Sequence, residues 1–92
     1  MKHPKRIKGF SSLAGVAYAV SVLRYDALRD FLDYLAVEIK QQSKLDKSFG
    51  KKKLAKALNK LSKALDNSVK NTDEVWKICE PFMTKNKKKK RS

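Results

Sequence analysis

The sequence KKKLAKALNKLSKALDNSVK, which occupies residues 51–70, sets the architecture expected of the whole chain. On a helix that turns about 100° per residue, it separates into two opposed stripes. The apolar stripe consists of Leu54, Leu58, Leu61, Leu65 and Val69. The basic stripe, on nearly the opposite side, consists of Lys53, Lys56, Lys60 and Lys63. The segment therefore predicts an amphipathic helix that buries its leucines and presents a row of ammonium groups outward.

The charge of this helix is almost entirely positive, which favours a role in binding an anionic partner over a role in solubility alone. Lysines opposite a leucine stripe are common on soluble helices. Here, however, Asp66 is the only acidic residue in the stretch 47–70. In addition, three lysines in a row (residues 51–53) begin the helix, where the helix macrodipole disfavours positive charge. These two features predict that the lysines contact a polyanion.

The remaining composition predicts one small domain between two basic ends. The chain has 92 residues and a net charge of +14. The ends, residues 1–9 and 84–92, hold ten of the 23 basic residues and no acidic ones. We expect a flexible basic arm over 1–9, a helical bundle over 10–83 and a disordered Lys-rich tail over 84–92. A domain of this size is marginal on its own, which favours association with other subunits or with itself.

Two further helices are expected before residue 51. Residues 13–23, LAGVAYAVSVL, follow a possible N-cap at Ser11 or Ser12. Their alternating valines suit a strand, but the alanines and the lack of a partner strand favour a buried helix. This helix is either separate from the next one or part of it, running straight on or bending near Arg24. Residues 25–43 predict an amphipathic helix, because their leucines, phenylalanine and isoleucine gather on one face.

A last short helix is expected after residue 71. Asn71 can end the lysine-bearing helix, Thr72 can cap the next one, and Pro81 should terminate that helix. The predicted fold class is therefore all-α, a small bundle of three to four helices with disordered basic ends.

Three aspartates, Asp26, Asp30 and Asp33, share one face of the helix over 25–43. Arg29 is spaced to pair with Asp33 at i,i+4. Three carboxylates can bind a divalent cation, but no glutamate or histidine obviously converges on them. We expect a solvated acidic face that forms a possible protein contact, for example with lysines of a neighbouring copy.

Little in the sequence supports catalysis. The only histidine, His3, lies in the predicted arm, and the only cysteine, Cys79, lies on an apolar helix face. One Cys and one His cannot form a zinc site, so we expect no enzyme activity, no metal and no cofactor. The aromatic residues Tyr18, Tyr25, Tyr34 and Trp76 are expected to pack in the core. The apolar run over 13–23 is too short to span a membrane, and we expect a soluble, cytoplasmic protein.

The predicted function is non-enzymatic, sequence-nonspecific binding of a nucleic-acid backbone, DNA or RNA. Lysine dominates over arginine, which is the better bidentate reader of guanine, so contact with phosphates is favoured over base recognition. The expected binding residues are Lys51, Lys52, Lys53, Lys56, Lys60, Lys63, Lys70, Lys87, Lys88, Lys89, Lys90 and Arg91.

In size, charge and helicity over residues 11–83, the chain is similar in general plan to the helical small subunits of CRISPR surveillance complexes. That resemblance implies an accessory subunit of a larger nucleoprotein complex. Small basic four-helix proteins such as bacteriocin immunity proteins look similar in outline. They imply an alternative function, an inhibitor that binds a protein or a membrane-associated partner. Binding to an anionic membrane surface is less favoured, because the leucines of the lysine-bearing helix are needed inside.

Overall fold

The computed structural model describes the backbone of residues 3–91 and the side chains of residues 3–83. Three helices and no strand occur in this part of the chain. They are α1 (Leu13–Ser21), α2 (Tyr25–Ser48) and α3 (Lys52–Arg91). The prediction of an all-α fold is confirmed, and residues 13–23 contain a separate short helix.

The start of α1 matches the predicted cap. The hydroxyl oxygen of Ser12 accepts a hydrogen bond from the backbone N–H of Gly15 at 3.1 Å. This bond satisfies one of the four N–H groups that have no partner within a helix at its N-terminus. The helix ends at Ser21, and the chain turns over the next three residues before α2 begins.

A tight turn at residues 49–51 makes α2 and α3 antiparallel. Gly50 has a φ of 81°, in the left-handed region that glycine adopts without steric cost. The N–H of Lys51 donates to the carbonyl of Asp46 at 2.9 Å, which closes the turn. Because α2 continues to Ser48, five residues beyond the predicted end, only three residues separate the two long helices.

Small residues form the contact between α2 and α3. Ala36 and Ser43 of α2 are 2% and 8% exposed, and Ala55 and Ser62 of α3 are 4% and 3% exposed. The hydroxyl of Ser43 donates to the carbonyl of Ala55 at 2.6 Å, and the hydroxyl of Ser62 donates to the carbonyl of Ala36 at 2.9 Å. On each helix the alanine and the serine are seven residues apart, which is about two helical turns. The helices therefore meet along a line of short side chains. These side chains let the helices approach closely enough for a serine on each helix to bond to the backbone of the other.

The predicted burial of the leucine stripe is only partly correct. Leu58, Leu65 and Val69 are half-buried, whereas Leu54 and Leu61 are each 47% exposed. Two antiparallel helices cover only the line along which they touch. The leucines stand beside that line, and no third long helix lies against them in the described part of the chain.

The predicted break at residues 66–72 is wrong, because α3 is continuous there. The hydroxyl of Ser68 donates to the carbonyl of Ala64 at 3.2 Å, and that of Thr72 donates to the carbonyl of Ser68 at 2.7 Å. Both side chains therefore bond back to the preceding turn of the same helix instead of capping a new one. The low helix propensity of single Asp, Asn and Ser residues costs well under about 1 kcal/mol each, which is too little to end a helix.

The prediction that Pro81 terminates the last helix is also wrong, since Pro81 lies inside α3. Proline within a helix removes one hydrogen bond at a cost of about 3 kcal/mol, so it kinks a helix more readily than it stops one that propagates on both sides. The assigned span of α3 includes residues 84–91, for which the sequence predicts a disordered tail. The side chains beyond Met83 lie outside the described residues, and the boundary at 83 stays a prediction.

An ion pair joins the far ends of the hairpin. The guanidinium of Arg29 on α2 donates to the carboxylate of Asp73 on α3 at 2.8 Å, and Lys77 contacts the same carboxylate at 3.0 Å. Arg29 also pairs with the adjacent Asp30 at 3.2 Å. The predicted pair of Arg29 with Asp33 is therefore wrong, because a carboxylate on the other helix takes up the guanidinium.

This ion pair makes stability sensitive to acid. Hydrogen bonds from Lys77 and Arg29 lower the pKa of Asp73 below its usual value. Because the pKa of Asp73 is lower in the folded state, its charged carboxylate stabilises the fold fully above the ordinary aspartate pKa of about 3.9. This stabilisation is lost as the pH falls through the lowered pKa and the carboxylate is protonated. We expect the Tm of Asp73→Asn to fall less than that of the wild type between neutral and strongly acidic pH. Circular-dichroism melts at several pH values measure this, and equal slopes for both proteins would contradict it.

Candidate nucleic-acid interface

Five lysines from two helices line a groove at the turn end of the hairpin. The groove has a volume of about 410 Å³. We name it the lysine groove, and its lining residues are Lys40, Lys44, Lys47, Lys52 and Lys56 together with Ser43, Ala55 and Asn59.

The positions of these side chains follow from helical spacing. Lys40, Lys44 and Lys47 recur at steps of four and three, which keeps them on one side of α2. Lys52 and Lys56 recur at a step of four on the facing side of α3. Between the two rows lie Ser43 and Ala55, the small residues of the helix contact. Because these residues are short, they leave space between the lysine rows instead of filling it.

The lysines of the groove have no internal counter-charge. Among residues whose side chains the structure describes, no carboxylate pairs with any of these five lysines. The ion pairs found there involve Arg24, Arg29 and Lys77. Five ammonium groups are therefore brought together at one surface, which creates a positive potential that attracts anions.

The structure divides the predicted row of lysines. All of the predicted lysines over residues 51–70 are exposed. Only Lys52 and Lys56 line the groove. Lys53 and Lys60 lie about 140–160° around α3 from Ala55, which faces α2, so they point away from the groove. The side chains of Lys87, Lys88, Lys89, Lys90 and Arg91 lie outside the described residues.

Lys63 and Lys70 lie further along the same side of α3 as the groove. The contacts of Ser43 with Ala55 and of Ser62 with Ala36 set the alignment of the antiparallel helices. In this alignment Lys63 and Lys70 stand level with the first half of α2, where the aspartates lie. The five lysines of the groove are therefore concentrated at the turn end, while the carboxylate found there, Asp46, lines a different cavity. Lys51 lies beside the turn, in a second cavity with Phe49 and Leu54.

The binding residues predicted from the sequence do not include the contribution of α2, namely Lys40, Lys44 and Lys47. Their steps of four and three repeat those of Lys56, Lys60 and Lys63, so the signal was present in the sequence. Pairing the two rows required the alignment of the helices, which sequence spacing does not supply.

The three aspartates do not form a separate outward face opposite the lysines. Asp26 and Lys44 are 18 residues apart, about five full turns, so they lie on the same side of α2. Arg24 holds the carboxylate of Asp26 through two bonds of 2.6 and 2.7 Å and lowers its pKa. The described residues contain no cluster of three or more His, Cys, Asp or Glu side chains suited to a metal ion. The role of Asp26, Asp30 and Asp33 as a protein contact stays a prediction.

Among the described side chains that line the groove, none is aromatic and none is an arginine. The prediction that the tyrosines pack in a core is wrong for Tyr18 and Tyr34, which are 71% and 74% exposed. Neither lines the groove. Trp76 is half-buried beneath the guanidinium of Arg24, which lies 5.3 Å from the ring centroid. The groove therefore offers charge without groups that stack on bases or read guanine bidentately.

Comparisons with protein-family models, with curated proteins and with solved structures found no match for this chain. None of the helices in the described part of the chain combines the length and apolar character needed to cross a bilayer.

Proposed function

We propose that this protein binds the phosphate backbone of nucleic acids without reading their sequence, through the lysine groove. The observation that supports this function most directly is the set of five lysines from two helices that face one groove and have no carboxylate partner among the described side chains. An uncompensated cluster of this kind favours anions over any other class of partner.

The spacing of the lysines suits a polymer of phosphates. From Lys40 to Lys47 the helix rises about 10 Å at 1.5 Å per residue. A strand of duplex DNA advances about 3.4 Å per phosphate along its axis. One row of the groove therefore spans about three phosphate-to-phosphate steps, and the row on α3 adds contacts beside it.

The chemistry of the groove explains why sequence recognition is not part of the proposal. Lysine carries a mobile point charge, whereas base discrimination in the major groove relies largely on bidentate side chains such as arginine. A chain with these properties acts as an accessory subunit that holds a strand within a larger nucleoprotein complex.

The salt dependence of binding tests this function. Affinity should be measured for single-stranded and duplex DNA and RNA, and for anionic vesicles, at several salt concentrations. If about six phosphates are neutralised on duplex DNA, log affinity should fall against log salt with a slope near −5. Binding should change little when the base sequence is scrambled at constant length.

Two further measurements separate the groove from the basic end of the chain. Deleting residues 85–92 should weaken binding while leaving the helical circular-dichroism signal of the domain in place. Complete loss of binding in this variant would assign the function to the end of the chain and contradict the groove. Absence of binding to every nucleic acid at low salt would contradict the proposal and favour a protein partner instead.

A further inference from the structure

The hairpin buries almost no large apolar side chain. Within the described residues, the buried hydrophobic residues are Ala36 and Ala55, and no large side chain is fully covered. Small domains are already marginal because they bury a low fraction of their surface. In the part of the chain that the structure describes, leucines such as Leu32 and Leu58 are only half-buried, so the hydrophobic effect stabilises the hairpin less than it stabilises a domain with a closed core.

Apolar side chains that remain exposed gather on the side of the hairpin opposite the lysine groove. The exposed residues there are Phe31 and Leu35 of α2, and Leu54 and Leu61 of α3, which are between 37% and 47% exposed. We call these four residues the apolar face. Half-buried leucines of both helices, among them Leu32 and Leu58, lie beside them. These exposures include the covering effect of α1 and of residues 3–12, so neither segment seals the face.

The charge pattern indicates what can cover this face. The α3 row of Leu54, Leu58, Leu61 and Leu65 carries no charge, although the chain has a net charge of +14. The charged residues that border it at the turn end are one of each sign, Lys51 and Asp46, which line a cavity with Leu54. A second copy of the chain can therefore approach here without placing lysine against lysine. The lysine grooves of the two copies then lie on opposite outer surfaces, where their mutual repulsion is smallest and most screened by salt.

The size of the face fits a dimer. With 24 residues, α2 is about 36 Å long, and two helices of about 10 Å diameter side by side are about 20 Å wide. The outline of this side therefore measures at most roughly 700 Å² on each copy, part of which is already taken up at the turn end, where His3 lines a cavity with Leu54. The upper bound is close to the ~800 Å² per partner of a standard stable interface. Contact between identical faces closes under two-fold symmetry and leaves no face open for further addition.

We propose that two copies of this chain pack through their apolar faces to form a symmetric four-helix bundle. In this dimer α2 and α3 of each copy form one layer, and the leucines and Phe31 of both layers form the core. The lysine grooves remain open on the two outer surfaces. The dimer does not depend on nucleic acid, so its test is separate from that of the proposed function.

Sedimentation of the full chain without nucleic acid tests the dimer. The expected species has twice the 10.5 kDa mass of the chain. Replacing Leu54 and Leu61 by glutamine should raise the dissociation constant at least tenfold. The matched control replaces Val37 and Ile78, which are 49% and 71% exposed and lie away from the apolar face, by glutamine and should leave the mass unchanged.

A second measurement covers the case in which the Leu54 and Leu61 variant unfolds. Because the dimer stabilises the folded state by mass action, the Tm of the wild type should rise with protein concentration. A folded monomer whose Tm is independent of concentration would overturn the proposal. An open series of larger assemblies, or an equal loss of dimer in both double variants, would overturn it as well.

Discussion

Replacing Ala55 by leucine should destabilise the helical hairpin by about 3 kcal/mol, at the upper end of the range for overpacking a close contact. Ala55 is 4% exposed, and its carbonyl accepts the hydroxyl of Ser43 at 2.6 Å. A leucine side chain does not fit in the line of contact itself, where Ala55 lies against α2, and its only open space is toward the lysine groove. Separating them to make room also breaks the two serine bonds, which contribute about 1 kcal/mol each.

The measurement is chemical and thermal unfolding followed by circular dichroism. The Tm should fall by more than about 10 °C for a domain of this size. The matched control is Ala57→Leu, two residues away on an exposed side of the same helix. It should change stability by less than about 0.5 kcal/mol. Similar losses in both variants would show that the Ala–Ser line is not the contact that holds the hairpin together.

Reversing two charges in the lysine groove should have the largest effect on binding. The variant carries Lys44→Glu on α2 and Lys56→Glu on α3, both exposed and both lining the groove. Each lost phosphate contact removes about one unit of salt slope and roughly tenfold in affinity near 50 mM salt. Because the new glutamates also repel phosphate, the expected loss for duplex DNA is about 100- to 1,000-fold.

The matched control reverses Lys53 and Lys60, which are equally exposed but point away from the groove. Its net charge is identical to that of the groove variant, so nonspecific attraction falls equally in both. We expect the control to lose less than about tenfold. Equal losses would mean that total charge, rather than the groove, governs binding. A larger loss in the control would place the contact on the outer side of α3, as the lysine stripe of the sequence alone suggested.

The local sequence predicts the two helices of the hairpin but does not predict where they end. Periodic leucines predict α2 and the first half of α3, because amphipathic spacing is a property of consecutive residues. The end of a helix depends on small differences in free energy. Ser68 and Thr72 bond back within α3, so residues that are typical of caps lie in a helix interior. The same limit explains why the effect of Pro81 was predicted wrongly.

The helix contact shows a different limit. Ala55 and Ala57 are the same residue type two positions apart, and both read as residues of high helix propensity. Only Ala55 lies against α2. Its role depends on the alignment of the two helices, which brings Ser43 to its carbonyl. The sequence pointed to the leucines as the contact because they carry the most apolar area.

The sequence by itself determined that this chain is helical, strongly basic, and able to place lysines and leucines on opposite sides of one helix. These properties follow from composition and from a period of 3.6 residues, which are local. Only the tertiary structure decided that three lysines of α2 join two of α3 in one groove, and that the leucines are left at a surface. Both outcomes depend on which residues are small enough to let the helices touch.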